Sequence, residues 1–316
     1  MNQHGSINRR HFLGAAAVAG AAWATGWPRQ ASWAAAGPEQ PLRIAFLTDI
    51  HARVEWDTPE AMARCADLIN AQKPDLIIGG GDCITDGFTS TPEQVAPRWQ
   101  AYRTALHDRL QAPLHVALGN HDLVGVEPAD GSAPAADPRA DFRRELGLAQ
   151  TYRSVDAGGC HLIFLDPFEI TGDALRYRGF IGPEQMAWLR ADLAGVDSAT
   201  PVILVVHMPL LTGFFQATQG APAPAPANRV VVNSLDVLEA LAGHNLVLVL
   251  QGHLHVNEML RWRQTTFITG GAVSGKWWRG SWHGTPEGFG VVTLRAGQVD
   301  WRYLDYGWQA RRPAGV

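Results

Sequence analysis

Five short hydrophobic runs in this 316-residue chain each end in residues of metal-binding type, and that recurrence limits the fold more than any other feature. Residues 42–47 run into Asp49-Ile50-His51. Residues 76–78 run through three glycines into Asp82. Residues 114–118 run into Gly119-Asn120-His121-Asp122, 202–206 into His207, and 246–250 into Gly252-His253-Leu254-His255. Short apolar runs bounded by Gly or Pro read as buried strands. In open α/β sheets, ligands bind at the carboxyl ends of such strands. One run ending in a polar residue means little. Five of them gather Asp, Asn and His along one sheet edge, as a metal site requires.

Between the runs the pattern turns helical. Met62, Ala66 and Ile69 recur at helical spacing within 59–72, and further helices are expected at 93–110, 183–193 and 234–241. Pro183 suits the first position of its helix. Residues 151–165 read as a hairpin about Gly158-Gly159. The Pro-, Gly- and Ala-rich segment 124–138 is expected to overhang the site. Residues 221–227 alternate Ala and Pro and read as an extended surface loop. Alternating β segments at 290–294 and 299–304 lie in a tail, 265–306, expected to complete a second sheet. The whole reads as one α/β domain over residues 37–316, with two packed sheets and outer helices.

The first 36 residues stand apart. Arg9-Arg10 precedes an Ala-rich apolar stretch, and Ala34-Ala35-Ala36 offers a small-residue cleavage site. This is the pattern of a twin-arginine signal peptide cleaved near Ala36. It implies passage through the twin-arginine export machinery to a periplasmic or secreted location. That route carries folded proteins, which suits an enzyme loaded with metal before export. The alternative is a retained anchor, but the stretch is shorter than the roughly 20 apolar residues of a spanning helix. Residues 1–36 hold three arginines and no acid, so the remainder is more acidic than the formal −4 of the whole chain. An acidic chain argues against a nucleic-acid polymer as partner. No later run is long enough to span a membrane. Cys65, Cys83 and Cys160 form no CxxC pair, so no disulfide scaffold is expected.

The strand-end residues suit metal chemistry. Asp49 and His51 are two apart, so at a strand end their side chains can point the same way. The Asp82 carboxylate has two oxygens and can bridge two ions. Asn120 offers an amide oxygen, and His207, His253 and His255 offer imidazole nitrogens. Mixed nitrogen and oxygen donors suit Mn, Fe, Zn or Co, with no thiolate to select a soft metal.

In this order, the blocks Asp49-Ile50-His51, Gly81-Asp82-Cys83-Ile84-Thr85-Asp86, Gly119-Asn120-His121-Asp122, His207 and Gly252-His253-Leu254-His255 resemble the calcineurin-like metallophosphoesterases. The resemblance covers about 42–256. It implies a four-layer α-β-β-α sandwich of two mixed β-sheets flanked by helices. It also implies two metal ions (Mn, Fe or Zn, with Mn or Fe favoured). Asp49, His51, Asp82 and His255 would hold one, and Asp82, Asn120, His207 and His253 the other. His121 would protonate the leaving oxygen and Asp122 would orient it. Two divalent ions against two carboxylates and one hydroxide leave a net positive centre that attracts phosphate. The hydroxide would attack phosphorus in line. No Tyr stands in the second block, unlike purple acid phosphatases, and His207-Met208-Pro209 lacks the second His of many family phosphodiesterases.

The expected reaction is hydrolysis of a small-molecule phosphodiester or pyrophosphate. The alternatives are a phosphomonoesterase with the same site, a non-catalytic scaffold of the same fold, and a metal carrier. The tail segment 271–284 holds Lys276, Trp277, Trp278, Arg279, Trp282 and His283 among glycines. Such a loop suits stacking on a sugar or base beside a phosphate. Trp277, Trp278 and His283 are the candidate substrate contacts, with packing of the second sheet as the alternative. Asp86 either supports the site or merely turns the chain, and Cys83 reads as a small core filler. His107, His115, His161 and His244 fall outside the blocks and read as structural or surface residues.

Overall fold

The computed structural model describes residues 40–311, which belong to one compact unit. The signal segment expected at 1–36 lies outside the described residues. In chain order the first strands are β1 (Leu42–Leu47), β2 (Leu76–Gly79), β3 (Leu114–Val116), β4 (Arg153–Ala157) and β5 (Cys160–Leu165). A short ribbon, β6 (Phe168–Ile170) and β7 (Tyr177–Gly179), follows. Then come β8 (Pro201–Val206), β9 (Asn245–Gln251), β10 (Glu258–Trp262), β11 (Thr265–Thr269), β12 (Gly288–Arg295) and β13 (Gln298–Asp305). The α-helices are α1 (Thr58–Ala71), α2 (Pro92–Ala105), α3 (Ala140–Leu146), α4 (Pro183–Leu193), α5 (Phe214–Gln219) and α6 (Ser234–Ala240).

Two mixed sheets face each other. One has the order β13-β12-β1-β2-β3 and the other β10-β11-β9-β8-β5-β4. Strands β1, β2 and β3 are parallel, as are β5, β8, β9 and β11, and antiparallel strands close every edge except that of β3. Ile44, Phe46 and Ile78 of one sheet pack on Leu162, Phe164, Ile203 and Leu250 of the other. The opposite face, with Ala45, Leu47 and Ile77, meets α1 and α2, while Leu204 and Val206 join the core that includes α4 and α6. The result is a four-layer α-β-β-α sandwich. Its strands are buried on both faces, which is why they read as continuous apolar runs.

The tail departs from expectation. Residues 265–306 do not complete the second sheet as one block. Strand β11 joins the second sheet beside β9, but β12 and β13 cross to the first, where β12 pairs antiparallel with β1, Leu42 opposite Leu294 and Phe46 opposite Gly290. The physical reason is the free edge of β1. Its row of amides and carbonyls lies between apolar layers and needs a partner strand. Helix α2 also stops at Ala105, short of 110, and a 3₁₀ turn at His107–Arg109 follows. Among the described residues, no helix is long and apolar enough to cross a membrane.

Candidate metal centre

All the parallel strands end on one side, and their following loops are stitched together by backbone hydrogen bonds. The amide of Asp49 donates to the Gly81 carbonyl at 3.0 Å, and that of His51 to the Asp82 carbonyl at 2.9 Å. Gly119 is packed so closely that a Cβ there would stand 2.1 Å from the Asp82 nitrogen. Asp49, His51, Asp82, His253 and His255 all adopt left-handed backbone conformations, with φ between 47° and 70°. Asp and His tolerate this region better than most residues, but it still costs about 1–3 kcal/mol each and persists only where surroundings hold it. Asp49 and His51 therefore converge through two left-handed turns beyond β1, not through the alternation of a strand as the spacing suggests.

The loops bring the six expected Asp and His ligands into clusters of buried donors. Asp49, His51 and His255 form one, and Asp82, His207 and His253 another, with donor atoms within 4.8 Å of each other in each. Asp82 lies between them: its Oδ2 is 3.5 Å from His51 Nε2 and 3.3 Å from His207 Nε2. The Asp82 Oδ1 accepts from the His121 amide at 2.8 Å. Asn120 sits buried next to His121, and its Oδ1 has no hydrogen-bond partner within the protein.

The ring orientations fit a cation. His207 Nδ1 donates to the Gly80 carbonyl at 2.7 Å, His255 Nδ1 to Gly275 at 2.6 Å and His253 Nε2 to Asn228 at 3.0 Å. A carbonyl can only accept, so each ring holds a proton there and its other nitrogen is the one that can turn a lone pair to a cation. His255 Nε2 faces His51 Nε2 at 3.1 Å and Asp49 Oδ1 at 3.2 Å. His207 Nε2 is buried without a hydrogen-bond partner. Lone pairs and orphaned oxygens aimed inward are costly unless a cation satisfies them.

The electrostatics point the same way. Burial would raise the Asp49 and Asp82 carboxyls, but the imidazoles beside them, His255 and His207 for Asp49 and His207 and His121 for Asp82, hold both well below the usual range. Burial opposes charge on His207, yet Asp82 and Asp49 outweigh it and push its pKa up to about 9. Burial and His207 push His253 down to about 3, and burial and His121 lower His51. The pocket is a negative field that favours positive charge: His207 answers it with a proton that a cation would displace, while His51 and His253 are held towards the neutral form.

Two expected roles need correcting. The Asp122 carboxylate is fully buried and accepts from the amides of Cys83 (2.8 Å), Ile84 (3.3 Å) and Gly119 (2.9 Å). It braces the loops and does not orient His121. Burial and the neighbouring Asp82 charge push its pKa up to about 8 against those amides. His121 takes its hydrogen bond from the Asp86 amide instead, at Nδ1 and 3.0 Å, with the Asp86 carboxylate at 3.9 Å. An amide facing Nδ1 leaves the neutral ring's proton on Nε2. Trp278 is 1 % exposed and donates from Nε1 to the His51 carbonyl at 2.9 Å, so it supports the loop from beneath and is closed to substrate.

Trp277, by contrast, is half-buried, with its ring 4.5 Å from that of His255 and 5.9 Å from that of His51. His283 is exposed farther along the same wall. The sequence reading missed the carbonyls of Gly80, Asn228 and Gly275, because a backbone oxygen leaves no trace in residue type. It missed Phe214 as well, which meets His283 edge-on at 5.0 Å. The ribbon β6–β7 was also invisible; through it Phe168 reaches His207, ring centroids 6.0 Å apart.

The profile of the calcineurin-like phosphoesterases matches residues 42–257. The chain belongs to this family. As a calcineurin-like phosphoesterase it is a metal-dependent phosphoester hydrolase. Its fold is similar to that of a dimetal phosphatase from Danio rerio, with a TM-score of 0.59 and 14% identity over 86% of this chain and 100% of that one. It is also similar to GAP50, the anchor in the inner membrane complex of Plasmodium, with a TM-score of 0.50 and 13% identity over 84% of this chain and 85% of that one. At such identities the likeness is one of fold. No curated protein matches the chain by sequence.

Proposed function

We propose that this phosphoesterase hydrolyses a phosphodiester or pyrophosphate bond with two metal ions. Asp49, His51, Asp82 and His255 would hold one, and Asp82, Asn120, His207 and His253 the other; the mixed donors suit Mn, Fe or Zn, and the family resemblance favours Mn or Fe. The observation that carries the reading is the position of Asp82, whose Oδ2 faces imidazoles of both clusters at 3.3–3.5 Å. One shared carboxylate is what a two-ion site needs. Such ions, when bound, stabilise charge on phosphoryl oxygens and supply a hydroxide nucleophile near neutral pH.

The chain's own groups do the rest. His121, 23% exposed at its side chain, carries its proton on Nε2 and donates it in a hydrogen bond to the leaving oxygen, whose developing charge it stabilises. The Asp86 amide fixes that tautomer. The Asp122 brace keeps Asn120 and His121 in register with Asp82. The partly buried Trp277 beside the cluster offers contact for a second esterifying group, which favours a diester over a monoester. We place the enzyme outside the cytoplasm on the strength of Arg9-Arg10 and the Ala-rich stretch that follows.

The test is metal content and turnover of the purified protein with Mn²⁺, comparing bis(4-nitrophenyl) phosphate with 4-nitrophenyl phosphate. Two ions per chain and preferred diester cleavage support the reading, and His121→Ala should keep the ions while losing about 10²-fold or more in turnover. Monoester preference would make the protein a phosphatase. Two bound ions with neither ester cleaved would favour a scaffold, a role that the anchor GAP50 has on the same fold.

A further inference from the structure

We propose that the loop after β11 builds a subsite for a flat aromatic group, of nucleobase type, attached close to the scissile phosphate. The proposal rests on the hydrolase reading above and names what the substrate carries. Two neighbouring tryptophans in this loop have opposite fates. Trp278 is buried and accounts for the packing, whereas Trp277 is only partly buried over the rings of His255 and His51. The wall continues outward through Trp282, 6.1 Å from Trp277, then His283, 4.5 Å from Trp282, and Phe214 beyond it. Lys276 holds its ammonium 4.9 Å over the Trp282 ring, at the exposed rim.

The loop is forced into this shape. Trp277, Trp278 and His283 have φ of 48°, 66° and 45°. A bulky residue in that region is a genuine outlier, and two in succession are held only by their surroundings. The Trp278 amide donates to the Ser274 carbonyl at 2.6 Å, the Lys276 amide to Gly280 at 2.8 Å, and the Arg279 amide to Lys276 at 3.0 Å. The Trp278 indole and the Gly275 carbonyl tie the loop to His51 and His255. A ring needed only for packing would be covered. This one is strained, locked and only partly covered beside the proposed reaction centre. A rigid platform of this kind loses little entropy on binding a flat partner. The lysine at its rim complements an anionic neighbour of that partner.

The test uses binding, so that it does not depend on turnover. Mn²⁺-loaded His121→Ala protein is titrated calorimetrically with adenosine 5′-monophosphate and with ribose 5-phosphate, which differ only by the base. Base stacking on an aromatic side chain is worth about 1–3 kcal/mol, so the nucleotide should bind about ten-fold tighter or more. Adding Trp277→Ala should bring that ratio close to one, and Trp277→Phe should retain much of it. Equal affinities in the parent, or Trp277→Ala weakening both ligands alike, would overturn the proposal. If the nucleotide is preferred while the unmutated protein cleaves no ester, the subsite stands and the hydrolase reading fails.

Discussion

The Trp278 indole donates to the backbone carbonyl of His51 at 2.9 Å, in a place closed to water. That bond ties the loop after β11 to the first metal-binding loop, 227 residues earlier. Trp278→Phe would keep most of the volume and remove the donor, leaving the carbonyl unpaired. We expect a loss of about 1–3 kcal/mol in stability. Because His51 is held in a left-handed turn by such contacts, metal affinity should also fall, by about ten-fold. Thermal melts and metal titration of the variant check both. A variant as stable and as tight as the parent would mean that the loop holds itself.

Gly290 and Trp301 make a comparable pair in the first sheet. A Cβ at Gly290 would stand 1.6 Å from Trp301 Cη2, so the indole lies directly over the glycine. Gly290→Ala should cost about 1–3 kcal/mol by overpacking. The same change in a Trp301→Val background should cost much less, because the clash partner is gone. Urea denaturation of the four proteins gives the coupling, and strict additivity would show that the ring can move aside freely.

The core of the fold was legible because it is written in side-chain pattern. Residues 42–47 and 183–193 were expected as they stand in β1 and α4, and the five block endings do meet on one side. What was not legible depends on the backbone or on long-range choice. The left-handed turns at Asp49 and His51 replace the strand alternation inferred from their spacing. The partner of β12 was misjudged, since an alternating strand states which face is buried and not which edge it joins. Asp122 and His121 are neighbours in sequence, yet Asp122 serves three amides and His121 a fourth. Trp277 and Trp278 are the same residue type side by side, and only burial separates them.

His161 lies far from that chemistry, between two carboxylates. Its Nδ1 is 2.7 Å from Asp156 and its Nε2 2.9 Å from Asp192, which also receives the Ser154 hydroxyl. Burial opposes its charge, but the hydrogen bonds to Asp192 and Asp156 outweigh it, and its pKa stands above the ordinary 6.5. The other ring nearby, His244, is lowered by burial and by the His161 charge. A raised folded-state pKa stabilises fully below the unfolded value and less as pH rises through the folded one. The stability gap between the parent and His161→Gln should therefore be larger at about pH 5.5 than at about pH 8.5. Urea midpoints at the two values decide it, and an equal gap would mean that His161 acts as a neutral spacer.

Asn120 offers a separate test of the centre, because its Oδ1 is buried without a partner in the protein. An unpaired buried acceptor costs about 1–3 kcal/mol, so in chelator-treated protein Asn120→Ala should be no less stable than the parent. With metal present the order should reverse. The parent gains stability from each ion bound to its folded state. The variant, short of one oxygen at the second cluster, should retain one ion per chain where the parent retains two. Melting with and without chelator, alongside metal analysis after desalting, reads both effects. Loss of stability in the metal-free variant would assign Asn120 to the fold; loss only in the metal-loaded one assigns it to the centre.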